Sequence, residues 1–287
     1  MSFVELLKYI FLGIVQGMTE VLPISSSGHV AIFQQILNIK ADEGILFLIL
    51  VNIGSMLAII YHFRKFIFRL IDNFFSYVFF PSTRFESSEG FEYVIKIVIA
   101  SVPAALLGFF MASTIDSFYQ EHYLIIVGAG LLLTATILYI VRNASYINSR
   151  QTITYKDALF VGFFQSLAIL PGLSRSGITT SSGLFRKMSM ETSLNFSFML
   201  YIPISFGSFI RYAIIIIRNP ENALLGINWD KPYQLIYYIA AMIASIIATR
   251  FALKFMFKLF REGKLIGFAV YTFILGMIAF LTGIITT

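Results

Sequence analysis

Two short stretches of this chain gather side chains that can do chemistry. The first is Gln16-Gly17-Met18-Thr19-Glu20-Val21-Leu22-Pro23-Ile24-Ser25-Ser26-Ser27-Gly28-His29. It sets an amide, a carboxylate, three successive serines and an imidazole within one short segment. The second runs from Gln165 to Thr179 and ends Pro171-Gly172-Leu173-Ser174-Arg175-Ser176-Gly177-Ile178-Thr179. Gln16 and Glu20 are four residues apart and would share one helix face. Ser25, Ser26 and Ser27 precede a short apolar arm, whose first backbone N–H groups would form an anion site together with the hydroxyls. Ser174 and Ser176 repeat that arrangement around Arg175, whose guanidinium can fork onto phosphate oxygens. Two such loops facing each other would handle phosphate.

Each polar residue also has a plainer reading. The serines could satisfy Glu20, or serve close helix packing as small residues do in membranes. Neither accounts for Arg175 or His29. An unpaired acid in apolar surroundings is expensive, so Glu20 calls for Arg175, a metal ion or a proton as partner. His29 is open to three roles: general acid toward a leaving phosphate oxygen, metal ligand, or capping donor. His62 and His122 stand outside both clusters and receive no role.

The surroundings of these stretches are oily. Of 287 residues 58% are hydrophobic and only 13% charged, with a mean hydropathy of +0.83. Soluble domains average about 25% charged, so the composition is that of an integral membrane protein. The absence of cysteine excludes disulfides, thiolate metal sites and a cysteine nucleophile. No HExxH, CxxC or Walker loop is present, which leaves zinc hydrolysis and P-loop chemistry without support. Lys and Arg flank apolar runs rather than forming a basic patch, so nucleic acid is not expected as a partner; membrane lipids are. The opening apolar run contains Glu5 and Lys8 and leads into the first polar cluster, so it is expected to stay attached rather than act as a cleaved signal.

Apolar runs at about 44–63, 93–113, 123–141, 192–217, 234–256 and 264–285 are each close to the roughly 20 residues needed to cross a bilayer. Residues 3–22 read as a helix broken by Gly13, Gly17, Pro23 and the serines, followed by a short arm at 28–38. Residues 158–170 and 177–188 form a second interrupted pair. Both pairs read as re-entrant hairpins, which membranes tolerate only where protein or a water-filled cavity surrounds them. Residues 64–92 read as a polar loop with an interfacial helix around Phe74 to Phe80.

The order is thus hairpin and three spans, twice. A shift of 149 lays Gly13 on Gly162, Gln16 on Gln165, Ser25 on Ser174, Ser27 on Ser176 and Gly28 on Gly177. Further on it lays Phe47 on Phe196 and Ile53 on Ile202. The expected fold class is an all-α integral membrane protein with six transmembrane helices and two re-entrant hairpins, as inverted-topology repeats in one membrane domain. Repeat one covers about 1–145, with its hairpin at 3–38. Repeat two covers about 150–287, with its hairpin at 156–188. An odd number of spans per half inverts the second half, so the hairpins enter from opposite faces. Basic segments at 64–69, 142–156 and 254–264, against Asp116 and Glu121 at 114–122, put the first three in the cytoplasm and both termini outside. Arg218 and Lys231 fall outside with Glu221 and Asp230, and do not upset that orientation.

Gln16-Gly-x-Thr-Glu20-x-x-Pro-x-Ser-Ser-x-Gly-His29, with Pro171-Gly-x-Ser-Arg175-Ser-Gly-x-Thr179, resembles the undecaprenyl-diphosphate phosphatase family, the BacA-type bacitracin-resistance phosphatases. Length, hairpin placement and span count extend the likeness over the whole chain. The resemblance implies hydrolysis of long-chain polyprenyl (undecaprenyl) diphosphate to the monophosphate on the outer side of the plasma membrane. That reaction recycles the lipid carrier for cell-envelope glycan synthesis. It also implies a divalent metal cofactor, Mg2+ or Ca2+. By residue, Glu20 matches the essential acid and expected metal ligand, Ser26 the nucleophile or phosphate ligand, His29 the motif histidine, and Arg175 the phosphate-binding arginine. Ser174, Ser176 and Thr179 match the second-loop hydroxyls; Gln16, Ser25 and Ser27 complete the expected substrate contacts. Two positions depart from the pattern: Gln16 stands where many members have a second Glu, and Asn52 where a Gln is frequent.

Rival functions keep the same architecture. A flippase or transporter of polyprenyl phosphate or another anion fits inverted repeats equally well, but has no need for Glu20, Ser26 and His29 in one cluster. A membrane protein without a site leaves both polar loops unexplained. Prenyl chain length, the identity of the nucleophile (Ser26 or water) and assembly, a homodimer among the options, are left open by the sequence.

Overall fold

A computed structural model describes residues 2–39, 45–121, 123–143, 149–218, 234–261 and 265–286. His122, Lys40, Asp42, Glu221, Asp230, Lys231 and Lys264 lie outside the described residues. Among the described residues the regular elements are ten α-helices, a 3-10 turn at Pro81–Thr83 and one isolated bridge between Arg150 and Met188. They are α1 Phe3–Val21, α2 Ser26–Ile36, α3 Ile45–Phe79, α4 Arg84–Glu121, α5 Tyr123–Val141, α6 Tyr155–Leu167, α7 Arg175–Phe185, α8 Met190–Arg218, α9 Gln234–Arg261 and α10 Leu265–Thr286.

Six of these, α3, α4, α5, α8, α9 and α10, are long and apolar enough to cross a bilayer. Large side chains such as Phe109, Phe251 and Phe273 are exposed on them, as lipid-facing surfaces require. Helices α1–α2 and α6–α7 each fold back on themselves. Phe11 meets Phe33 edge-on at 5.2 Å between ring centroids in the first pair. Arg186 bonds Asp157 at 2.8 Å across the second.

Three sequence expectations change. Gly13 and Gly17 do not break α1, which runs unbroken from Phe3 to Val21. They let it approach α9: a Cβ on Gly13 would stand 2.2 Å from the Ala241 carbonyl oxygen, and one on Gly17 2.4 Å from that of Ser245. Nor is 64–92 a loop with an interfacial helix. Helix α3 continues to Phe79 and α4 begins at Arg84. With 35 and 38 residues, the two are about 50 Å long or more at about 1.5 Å per residue. They therefore extend well beyond a hydrocarbon core of about 30 Å. Stacking of Tyr77 on Phe91 at 4.0 Å, and of Phe74 on Phe91 at 5.6 Å, holds this extension together. Finally, Asp116 and Glu121 lie within the last turns of α4 rather than in a loop.

The packing has an exchange pattern. Helix α1 packs along α9, and α6 along α4; α3 packs on α9, and α8 on α4. Helices α5 and α10 pack on each other, as do α3 and α8. Swapping α1–α5 with α6–α10 exchanges the first two contacts with each other, exchanges the second two likewise, and leaves the α5–α10 and α3–α8 contacts in place. Shifting α2 by 149 residues gives the bounds of α7, Arg175–Phe185. Gly162 repeats the role of Gly13: its Cβ would lie 2.4 Å from the Ala100 carbonyl oxygen on α4.

Candidate active site

The two hairpin tips touch. The Ser176 hydroxyl donates to the Leu22 carbonyl at 3.0 Å, and the Gly172 N–H to the Ser27 hydroxyl at 3.5 Å. The second tip is shaped by Gly172, with φ +84° and no room for a side chain, since a Cβ would lie 2.2 Å from the Val127 carbonyl oxygen on α5. Each tip ends in a capped helix. Ser25 accepts from the Gly28 N–H at 3.2 Å and Ser174 from the Gly177 N–H at 3.1 Å. The first-turn N–H groups of α2 and α7 thus converge where anions are favoured.

Glu20 is the hub between the tips. One carboxylate oxygen accepts from Arg175 at 2.8 Å. The other accepts from the Ser26 hydroxyl at 2.6 Å and from the Gln16 amide at 2.8 Å. Gln16 also donates to Asn52 Oδ1 at 3.1 Å. Arg175 lies over the Tyr201 ring, 4.1 Å from its centroid, and donates to the Ser197 carbonyl at 3.4 Å. The Tyr201 hydroxyl in turn donates to the Asn52 carbonyl at 3.1 Å. Both charges are thus removed from bulk water but paired and hydrogen-bonded, as buried ions must be. A hydroxyl donating to a carboxylate has the geometry that a nucleophile beside its base requires.

Backbone strain is stored next to that hydroxyl. Ser25 adopts φ 68°, a left-handed conformation that non-glycine residues rarely hold. It is fixed by its own cap and by His29. The His29 N–H bonds the Ser25 carbonyl at 3.2 Å and Nδ1 bonds the same oxygen at 2.7 Å. A carbonyl only accepts, so Nδ1 carries the proton. In the neutral ring Nε2 then accepts from the Tyr271 hydroxyl of α10, 2.8 Å away, with the two rings stacked.

A cleft of about 520 Å³ opens onto Glu20, Ser26 and Arg175. Its floor is the two tips. Its sides are Leu48, Asn52 and Ile53 of α3, Ala104 and Gly108 of α4, and the face of α8 from Tyr201 to Tyr212. The family profile described as "Bacitracin resistance protein BacA" matches residues 9–278. The chain belongs to the BacA family. It is 39% identical over 277 residues to a protein of Oceanobacillus iheyensis named undecaprenyl-diphosphatase, covering 96% of each chain. It is 36% identical to undecaprenyl-diphosphatase 1 of Bacillus licheniformis, covering 96% of this chain and 98% of that one. The six apolar helices of this BacA-family chain make it a multi-pass membrane protein.

Of the residues singled out from the sequence, Gln16, Glu20, Ser26 and Arg175 meet in one cluster. Ser25, Ser27, Ser174 and Ser176 line the same cleft. Thr179 lies one turn behind, bonded to the Arg175 carbonyl at 2.8 Å and to Ser197 at 2.6 Å, where it supports the arginine from below. His29 does not line the cleft: its ring nitrogens are taken up by the Ser25 carbonyl and the Tyr271 hydroxyl. His62 stacks on Phe257 at 5.8 Å, away from both tips. Sequence reasoning missed Tyr201, Ser197 and Arg211 on α8, and Tyr271 on α10. The 149-residue shift pairs Tyr201 with Asn52, a signal that could have exposed the first of these.

The donors here bear on a divalent cation. Among the described residues no three His, Cys, Asp or Glu side chains cluster as a metal site. Among the described residues Glu20 is the one carboxylate lining the cleft, accompanied by the Ser26 hydroxyl and the Asn52 amide oxygen. Hard oxygen donors with a single carboxylate suit Mg2+ or Ca2+ carried mainly by substrate phosphates. Gln16 fits that reduced set. As an amide it donates to Glu20, which a second glutamate could do only if protonated.

Proposed function

We propose that this protein hydrolyses undecaprenyl diphosphate, or a similar long polyprenyl diphosphate, to the monophosphate and inorganic phosphate. It thereby recycles the lipid carrier for cell-envelope glycan synthesis and confers resistance to bacitracin. The observation that carries the reading is the Ser26–Glu20–Arg175 cluster at the cleft floor, in a chain whose relatives bear the diphosphatase name.

Arg175 and the N–H groups of α2 and α7 bind the terminal phosphate. Ser26 Oγ attacks its phosphorus while Glu20 takes the hydroxyl proton. The anhydride P–O bond breaks and the prenyl monophosphate departs. Glu20 releases that proton to water in the cleft. A water molecule then attacks the phosphoserine, and Glu20 takes its proton and returns it to Ser26 Oγ as the P–Oγ bond breaks. Inorganic phosphate leaves. A water held by the same pair could attack directly along the same proton path. The leaving group is a phosphate monoester with a second pKa of about 6, so it departs without a general acid. His29 therefore acts as a positioning residue that holds Ser25 in its strained conformation beside Ser26. A bound Mg2+ or Ca2+ would supply charge neutralisation on the phosphates, with Glu20 its charged protein ligand. Most of the barrier reduction comes from fixed positive groups aimed at the phosphoryl oxygens.

The hairpins are read as re-entrant and the halves as inverted repeats of one membrane domain, in the plasma membrane. The exchange pattern of helix contacts and the short arms of α2, α6 and α7 support this. The cleft is lined by the N-terminal part of α3 at Leu48 to Ile53, by Ala104 and Gly108 in the C-terminal half of α4, and by α8 from Tyr201 to Tyr212. Arg64, Lys65, Arg69, Lys254 and Lys258 lie in the C-terminal halves of α3 and α9, away from the cleft, and by the charge rule this supports a cleft open to the outer side.

A transporter would not need a serine donating to a carboxylate. Phosphate release from farnesyl diphosphate by detergent-purified protein tests the choice. Release that disappears in Ser26→Ala and Arg175→Ala is the expected result. A folded protein that binds the lipid and moves it between leaflets without release would establish the flippase instead.

A further inference from the structure

A second cavity, of about 730 Å³, opens away from the cleft. Helix α9 lines it with Lys254, Phe257 and Lys258, α3 with His62 and Phe63, and α8 with Asn195. About nine residues, or about 13 Å of helix, separate Ile53 at the cleft from His62 along α3. Met56 and Ile59 of α3 and Phe198 and Met199 of α8 lie between the two openings along those helices and belong to one buried apolar cluster. The cavity is therefore separate from the cleft. Its charged lining among the described residues is Lys254, Lys258 and Glu191. Neither lysine takes part in an ion pair among the described residues. Glu191 stands in the first turn of α8, where the helix dipole stabilises an acid without a cation. Arg64 and Arg250 lie over the Tyr61 ring, 4.4 and 5.0 Å from its centroid, and both act electrostatically on His62 together with Lys254. The cavity thus carries an excess of positive charge.

We propose that this cavity binds the phosphate headgroup of an anionic lipid, held by Lys254 and Lys258, with the Asn195 amide as a further donor. Free phosphate offers the same headgroup chemistry, but the surroundings favour a lipid. The two lysines alternate with exposed Phe251 and Phe255 on one face of α9, so the charged groups open directly onto a lipid-facing surface. The charge rule that supports an outward cleft sets this cavity at the cytoplasmic leaflet, where anionic lipids gather and basic pockets between spans take their headgroups. The shift of 149 lays His62 on Arg211 and Phe63 on Tyr212 of the cleft, so the two openings occupy corresponding stretches of α3 and α8. Lysines that merely snorkel to the interface would attract lipid diffusely, in company with Lys65, which is exposed on α3 but does not line the cavity.

The test titrates the full chain in detergent with a fluorescent short-chain phosphatidic acid. Joint Lys254→Gln and Lys258→Gln substitution should weaken binding about tenfold or more, at about 1 kcal/mol for each lysine near the surface. Lys254→Arg with Lys258→Arg should keep most of the affinity, and Lys65→Gln should leave it unchanged. Arg175→Ala should leave it within about threefold, because the cleft is a different site. Unlabelled dioctanoyl phosphatidic acid should displace the probe, whereas dioctanoyl phosphatidylcholine and inorganic phosphate at the same concentration should not. Unchanged binding in the double variant overturns the proposal, as does an equal loss in Lys65→Gln. Binding that depends on Arg175 and not on the lysines would put the lipid in the cleft, and displacement by inorganic phosphate as readily as by the lipid would make the ligand a free anion; either result refutes the assignment. Should the double variant fail to fold, Lys258→Gln alone should weaken binding about threefold, and no change there refutes it.

Discussion

Shifting the first hairpin by 149 residues lays Ser25 on Ser174, Ser27 on Ser176 and Gly28 on Gly177, and each leading serine caps its short helix in the same way. The same shift lays Ser26 on Arg175, Glu20 on Ile169 and His29 on Ile178. The shared positions build an anion-binding helix end; the unshared ones divide the chemistry. Hairpin one carries the hydroxyl, its base and a strained backbone. Hairpin two carries the cation and a relaxed cap, with Ser174 at φ −71°. Neither half contains a complete site, and the tip-to-tip contact makes one.

The bases of the hairpins differ too. Hairpin one is anchored by aromatic packing, with Tyr9 set among Phe47, Tyr237 and Tyr238. Hairpin two is anchored by charge. Buried Asp157 bonds Arg186 at 2.8 Å and Arg150 at 3.0 Å, and closes a capping box with Thr154. Burial alone would raise the Asp157 carboxyl, but the Arg150, Thr154 and Arg186 hydrogen bonds outweigh it and hold the group well below the usual carboxylate range.

The division of labour can be broken at its strongest point first. Arg175→Ala should lower kcat/KM by about a thousandfold or more, the loss typical of a phosphate-stabilising arginine. Near-normal turnover would remove hairpin two from the chemistry. Next, Ser26→Ala should lower kcat by about a hundredfold or more. Ser176→Ala, whose hydroxyl bonds the Leu22 carbonyl and the Ser174 hydroxyl and not Glu20, should cost less than about tenfold; equal losses would erase the distinction between the hydroxyls of the two tips.

Stability measurements sharpen the comparison further. Asp157→Asn should lower the Tm at neutral pH. Because the folded-state pKa is depressed, the contribution is intact above the unfolded value of about 4 and is lost as pH falls toward the folded one. The Tm gap between wild type and Asp157→Asn should therefore hold from pH 7 to 5 and shrink only in stronger acid; a gap that closes near neutrality would refute the ionic anchor. The smallest effect concerns the caps. Ser25→Gly relieves a positive φ and should change stability by less than about 0.5 kcal/mol. Ser174→Gly adds unfolded-state freedom without relief and should cost about 0.5–1 kcal/mol. The reverse order would show that Ser25 is not strained.

Much of this was legible because membranes make polarity conspicuous. Glu20, the serines and Arg175 stand out from apolar neighbours, and the spans declare themselves by length. What stayed hidden depends on partners. Gly13 and Gly17 look like helix breakers until Ala241 and Ser245 are seen pressed against them. The α3–α4 extension is polar enough to resemble a loop, although Tyr77 and Phe91 stack within it. Tyr201, Arg211 and Tyr271 lie in apolar spans, where an aromatic or a terminal arginine suggests lipid contact; only the helix faces reveal that two line the cleft and the third holds His29. The engagement of the His29 ring outside the cleft lining is likewise set by α10 and not by its motif.

That the two hairpins form one site is most directly tested by a double-mutant cycle on phosphate release from farnesyl diphosphate, with Glu20→Gln, Arg175→Ala and the double variant. Residues acting as a unit are strongly non-additive. The double variant should be no slower than the slower single variant, within about threefold. Losses that multiply in full would place Glu20 and Arg175 in independent sites and contradict the joined-tip account.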